Sequence, residues 1–220
     1  MVAKPDTMEN AMVPAAPAVR RRTQAMRTEA MKKRLLEATL DVLEARGYAR
    51  ANIVDIAAAA GVTRGAVHHH FRDKDALVSA ASGLMLDTAA ETISRLAGDV
   101  SRGRMSLDDF LDVVWRMYRG RLFTVTLEFV TEARHNEPLR ADLRGHVRRF
   151  HDALDAVWVR FFENTGVSPE RAKLAFNTTL CILRGMGLQS VLRSDKAYFD
   201  ALLSAWKAEL ARLIAQGSPP

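Results

Sequence analysis

The residues best suited to chemistry lie between Ile53 and Phe71, in the run IVDIAAAAGVTRGAVHHHF. The run holds one guanidinium, Arg64, and three consecutive imidazoles, His68, His69 and His70. Imidazoles ligate metals or exchange protons near neutral pH, and a guanidinium recognises phosphate or the edge of guanine. Geometry disfavours the metal, because successive helix residues point about 100° apart and three in a row cannot converge on one ion. His146, His151 and Asp155 fare no better. His151 and Asp155 share a helix face, but His146 lies about 140° away from it. No metal site and no cofactor is expected. The single thiol, Cys181, sits in an apolar stretch with nothing nearby in sequence to lower its pKa, so a structural role is expected. The chain has no GxSxG elbow, HExxH pair or glycine-rich phosphate loop, and an enzyme is not expected.

The elements that must position Arg64 and the histidines are legible in the same run. Ile53, Ile56, Ala57 and Ala60 share one face of a short helix. Gly61 follows where the chain must turn sharply, and glycine enters the left-handed region cheaply. Val62 can plug the angle between two helices, and Thr63 can cap the second by accepting from the amide of Gly65 or Ala66. Ala57 is small enough for close helix approach. This pattern predicts a helix-turn-helix whose second helix enters the DNA major groove.

Charge agrees with an anionic partner. The 220 residues carry a net charge of +6, and residues 1–75 hold 13 Lys/Arg against 9 Asp/Glu. Hydrophobic residues make up 48%, enough for a packed core. No apolar run approaches the ~20 residues of a membrane span, and the start of the chain does not resemble a secretory signal. A cytoplasmic protein without a membrane partner is expected. The first 27 residues, with Pro5, Pro14 and Pro17, read as a disordered tail. The tail ends in Arg20, Arg21, Arg22 and Arg27, which serve either as a solvated charge run or as an arm along DNA.

From Glu29 the period is helical almost throughout, and no alternating run persists as a strand. Breaks at glycine, proline and capping residues predict nine helices, near 29–46, 53–60, 64–70, 74–97, 106–119, 122–136, 138–164, 168–193 and 196–215. Asp73, Ser106 and Ser168 are the expected caps, with Pro169 at a first helical position. The fold class is therefore all-α.

The stretch KKRLLEATLDVLEARGYARANIVDIAAAAGVTRGAVHHHFRDKDALV, Lys32 to Val78, resembles the DNA-binding half of the tetracycline-repressor (TetR) family of bacterial regulators. The likeness lies in Leu35-Leu36, Ala38, Val42-Leu43, Gly47-Tyr48, Asp55-Ile56-Ala57, Ala60-Gly61-Val62, Gly65, His70-Phe71 and Lys74. It implies an N-terminal three-helix helix-turn-helix domain over 28–75 and a C-terminal helical ligand-binding and dimerisation domain over 76–220. It further implies a homodimer, a double-stranded DNA operator, and repression relieved by a small molecule. Carried over by position, Arg64, Gly65, Ala66 and His68 match base-facing residues of the recognition helix. His69 and Lys74 match backbone contacts, and His70 and Phe71 match packing positions. Asn52 stands where a threonine usually opens the second helix, and with the cap Thr63 completes the expected DNA-binding set. Ala51 and His68 depart from the usual threonine and tyrosine. The competing reading is a dimeric helical ligand- or partner-binding protein that has lost specific DNA binding. Retention of Arg64, Lys74 and Gly61 argues against it.

In the second half, apolar stripes mark either core or an effector cavity. The cavity reading places an apolar or aromatic effector against Leu86, Ala89, Phe110, Val114, Phe123, Phe150, His151, Leu154, Trp158 and Asn177, with the fourth helix as the mechanical link. The last two helices are expected to close a four-helix bundle with a second copy through Ile182, Gly185, Gln189, Phe199, Leu203, Trp206 and Leu210.

Overall fold

The computed structural model describes residues 17–162 and 166–217. Among these residues there are nine helices and no strand. They are α1 (Pro17–Arg50), α2 (Ile53–Ala59), α3 (Arg64–His70), α4 (Lys74–Ser101), α5 (Leu107–Tyr118), α6 (Arg121–Ala133), α7 (Glu137–Phe162), α8 (Pro169–Ser190) and α9 (Lys196–Gly217). The all-α expectation holds, helix for helix.

Two boundaries move. The expected tail falls partly on residues 1–16, outside the described residues, but 17–27 are helical and continue α1. Pro17 is the first helical residue, where a missing N–H breaks no bond, so it starts the helix rather than blocking it. Helix α4 also runs through Gly98, and the chain turns at Gly103 with φ +67°. The helix starts follow the capping chemistry. Asp73 accepts from the Ala76 amide at 2.8 Å, Ser106 from Asp109 at 3.0 Å and Ser168 from Arg171 at 3.4 Å.

Buried residues form one continuous cluster from Leu35 to Leu210. Helix α4 threads it. Leu77 and Val78 near its start are buried, as are Leu86, Ala89 and Ile93 along its middle. Its most extensive partner is α7. Gly83 permits that pairing, because a methyl group there would overlap Cε1 and Nδ1 of His146. The imidazole is held in turn by Arg149, 2.7 Å away. Gly83→Ala should therefore cost about 1–3 kcal/mol through overpacking, despite alanine's better helix propensity. Urea unfolding should show a lower midpoint at an unchanged slope.

Candidate nucleic-acid interface and an apolar cavity

The turn between α2 and α3 is built as its residues dictate. Asn52 Oδ1 accepts from the Asp55 amide at 2.9 Å, and Arg46 pairs with the Asp55 carboxylate at 2.5 Å, fixing α2 on α1. Gly61 adopts φ +66°, and the Val62 amide donates back to Ala57 O at 2.9 Å. Thr63 Oγ1 accepts from Ala66 N at 3.2 Å. Val67 is fully buried beneath α3, with Ala57 buried on α2. This packing leaves Arg64, Gly65, His68 and His69 on the exposed side, with Ala66 partly covered.

The three histidines do different things. His68 Nε2 lies 3.4 Å from Arg64 Nε, one helical turn back, and can steady the guanidinium. His69 and His70 meet edge to face at 5.1 Å, with His70 partly buried. Lys74, expected as a phosphate contact, has a second task. Its ammonium donates to Tyr48 O at 3.2 Å and sits 3.8 Å above the Tyr48 ring. It clamps the start of α4 to the end of α1. Ala51, at the position of the missing threonine, is buried.

Tyr48 is the hub of a network that sequence reasoning missed. Its amide donates to Glu128 Oε2 of α6 at 2.8 Å, and its hydroxyl donates to Asp75. Burial, reinforced by the Asp75 carboxylate, holds that phenol well above its usual range, so it stays a donor. Asp75 also accepts from Asn136 Nδ2 at 2.8 Å, and Asn136 Oδ1 accepts from Leu139 N in the first turn of α7. Gly47 makes room for this. It takes φ +73°, and a methyl group there would lie 2.8 Å from Glu128 Oε2. Two further ties cross the same boundary. Arg121, opening α6, pairs with Glu37, Asp41 and Glu44 of α1, and Arg72 reaches Asp142 of α7 at 3.2 Å.

The opposite side of α6 walls a cavity of about 420 Å³. Leu122, Phe123, Thr126, Leu127, Phe129 and Val130 come from α6, with Leu86 from α4 and Tyr118 from α5. Val147, Phe150 and His151 of α7 and Arg184, Gly185 and Leu188 of α8 complete it. Burial, then the nearby Arg184, lowers the His151 pKa against the opposing pull of Asp155 and Asp152, so the ring is neutral and can both donate and accept. A second hollow, with arginines at its rim, shares Phe129, Val130 and Val147.

Of the residues expected at an effector site, Leu86, Phe123, Phe150 and His151 line the cavity. Ala89, Phe110, Val114, Leu154 and Trp158 do not. They are core, and Trp158 is packed among Phe110, Phe161, Phe162 and Phe176. Asn177 is exposed and bonds back to Lys173 O. An apolar stripe has the same periodicity whether it meets a neighbouring helix or a void; Phe110 and Trp158 meet neighbours, and Phe123 and Phe150 meet the void.

Several of the residues expected at a dimer seam make contacts within the subunit. Phe199, Leu203 and Leu210 are buried within the subunit, and Ile182 packs on the same core. Trp206 is half-buried, and its indole N–H donates to Thr179 Oγ1 at 3.0 Å. Gly185 borders the cavity, and Gln189 accepts from the Tyr198 hydroxyl at 3.2 Å. Close approach occurs at Gly187 instead, where a methyl group would meet Tyr118 O at 2.9 Å inside the same subunit. The exposed apolar face of α8, continued by Leu192 in the turn that follows it, is rotated by about one residue. Leu174, Thr178, Cys181, Gly185, Leu188 and Leu192 succeed one another by four and three, and all but the half-buried Thr178 are exposed.

No helix among the described residues is long and apolar enough to cross a membrane. Residues 35–81 match the family described as bacterial regulatory proteins, tetR family. The HTH-type transcriptional regulator CymR of Pseudomonas putida is 28% identical over 197 residues, 88% of this chain and 95% of that protein. An HTH-type transcriptional regulator of Mycobacterium tuberculosis is 30% identical over 140 residues, 62% of this chain and 72% of that protein. A candidate transcriptional regulator from Pseudomonas aeruginosa PAO1 superposes with a TM-score of 0.61 at 25% identity, covering 85% of this chain and 91% of that one. The turn geometry, the family match and these relatives agree: the chain belongs to the TetR family and is a transcriptional regulator with a helix-turn-helix DNA-binding domain.

Proposed function

We propose that the protein is a repressor that binds a palindromic operator as a homodimer, in the cytoplasm, and is released by a small molecule with an apolar or aromatic body. On this reading residues 28–75 bind DNA, through Asn52, Thr63, Arg64, Gly65, Ala66, His68, His69 and Lys74. Residues 76–220 hold the effector and the second subunit.

The observation that carries the reading is the double allegiance of α6. One side of it walls the cavity, and the other holds Tyr48 through Glu128 and α1 through Arg121. A ligand alters DNA affinity only by binding two states unequally. A ligand pressed against Phe123 and Leu127 displaces α6, and through Glu128 and Asn136 the junction of α1 and α4 moves with it. That junction sets the spacing of the two recognition helices, and half-sites lie one ~34 Å turn apart. The sequence pattern assigns this task to α4, which contributes Leu86 to the cavity, whereas α6 supplies its longest wall.

Filling the cavity tests the reading whatever the effector is. Thr126→Trp should leave the regulated promoter silent under conditions that induce the wild-type strain, while deletion of the gene derepresses it. The expected difference between Thr126→Trp and wild type is about 5–150-fold in reporter output. Wild-type induction in the Thr126→Trp strain, with the protein folded and bound to operator, would place the effector elsewhere.

A further inference from the structure

Helices α6 and α7, joined by the short turn 134–136, share a trough of about 430 Å³. Along α7 its lining recurs at Arg140, Leu143, Arg144, Val147 and Arg148, a stripe of about two turns. The inner row of that stripe is apolar and the outer row cationic. Leu143 is buried and Val147 half-buried, whereas Arg140, Arg144 and Arg148 are exposed. Facing it, α6 supplies Val130 beside the apolar row and Arg134 beside the cations. Val130 is 49% exposed, an apolar side chain left to water. The cations are under-compensated. Glu137 pairs with Arg140 and reaches Arg144 only at 3.9 Å, and neither Arg134 nor Arg148 has an acidic partner among the described residues. Asp142, on the same helix, is taken by Arg72.

The length and chemistry of the trough select its occupant. The three arginines of α7 follow at i+4, so their Cα atoms span about 12 Å. A helix laid between two others packs an apolar row into the groove they form and turns its flank outward. A guest with apolar residues spaced three and four, flanked by carboxylates spaced four, covers Val130 and Val147 and meets the guanidinium groups in turn. A small anion satisfies one guanidinium and leaves the rest of the row unpaired. A nucleic-acid strand neutralises the row but leaves the apolar floor uncovered. The acidic row of α1, Glu37, Asp41 and Glu44, is engaged by Arg121, so a second copy has no free match there. None of the lining residues comes from α8 or α9, the helices of the proposed seam.

We propose that this trough is the docking site for an acidic amphipathic helix of a second protein. The guest's apolar row lies on Val130, Leu143 and Val147, and its carboxylates pair with Arg134, Arg140, Arg144 and Arg148. The turn at the end of the trough carries Asn136, whose amide donates to Asp75 at 2.8 Å, so the guest is seated at the joint between the two halves of the chain. The proposal stands without the effector reading above.

Fluorescence anisotropy on the full-length protein tests it with a labelled peptide of Ala, Leu and Glu, about 18 residues long, which covers the row with more than a turn to spare at each end. Its leucines are spaced three and four, and its glutamates four apart on one flank. A peptide of the same composition, scrambled so that neither set shares a face, is the comparison. The patterned peptide should bind at least about tenfold more tightly, because only it presents an apolar row and a charge row together. Arg144→Glu/Arg148→Glu should weaken its binding at least about tenfold, and so should Val130→Glu, which leaves all four arginines in place. All three positions are exposed, and circular dichroism confirms the fold of each variant. Equal binding of the two peptides, or no binding of the patterned one at millimolar concentration, overturns the proposal. Undiminished binding by the double variant overturns it too. Undiminished binding by Val130→Glu alone reduces the trough to a site for bare anions. A double variant that keeps the peptide and loses operator affinity assigns the row to DNA phosphates. Assembly of the wild type beyond a dimer in sedimentation velocity, abolished by the double variant, gives the trough to a second copy. Each of these last three results also overturns the proposal.

Discussion

Arg64→Ala should lower affinity for the natural operator by about 2–6 kcal/mol and abolish preference at one base pair in each half-site. A guanidinium that donates twice to guanine O6 and N7 is worth about 1–3 kcal/mol of discrimination, and the proposed dimer presents two. Arg64 is placed for this. It begins α3, it is exposed, and its Nε lies 3.4 Å from His68 Nε2. Arg64→Lys should not rescue it, because an ammonium lacks the planar fork. Lys74→Ala provides the contrast. With its Nζ on Tyr48 O, that lysine is held as a clamp, and its loss should weaken all sequences alike through a loosened junction. A phosphate contact would also reduce the salt slope by about one per lysine. Selection from a randomised operator pool, with binding measured at two salt concentrations, reads both effects. An unchanged consensus in Arg64→Ala would remove the residue from the base-reading set.

What could be read from sequence follows from how local the determining interactions are. The α2–α3 turn closes within a dozen residues. Gly61 takes the left-handed conformation, Val62 bonds back to Ala57, and Thr63 caps α3, so each residue type announces its own bond. The helix count is legible for the same reason, since caps and breakers act within one turn. Pro17 marks the limit of the rule, because a proline that breaks a helix interior begins one just as well.

The network around Tyr48 was not legible, because its partners are remote in sequence. Glu128 and Asn136 approach only after α6 folds across α1, and nothing in the spacing of Gly47-Tyr48 announces a carboxylate 80 residues on. The cavity failed for a subtler reason. Phe110 and Trp158 satisfy an apolar pattern as well as Phe123 and Leu127 do. Only the packing of α5, α7 and α8 decides which of them close on one another and which face a void. Phe110 and Trp158 fill the core, whereas Phe123 and Phe129 of α6 and Phe150 of α7 wall the cavity.

Leu174→Glu combined with Leu192→Glu should yield a folded monomer and lower operator affinity about a thousandfold, most of the gap between specific and non-specific binding. One recognition helix reads a few base pairs, and only the two-fold pair covers a palindrome. The rotated face of α8 is the seam the exposures favour, because Leu174 is 69% and Leu192 is 96% exposed in the isolated subunit. Its four-and-three spacing is that of helices packed in a coiled-coil-like bundle. Helix α9 offers a matching small-residue face, Ala201, Ala205 and Ala208, all exposed, which lets a partner helix approach closely. Charges at positions 174 and 192 stay in water within one subunit and would be buried unpaired across a dyad, where each costs several kcal/mol. Ile182→Glu is the wrong test. It sets a charge against the subunit's own core, so a loss of dimer there would report unfolding. Sedimentation velocity distinguishes the outcomes. A folded monomer that binds operator weakly supports the α8–α9 seam, and an intact dimer with Leu174→Glu/Leu192→Glu places the two-fold elsewhere.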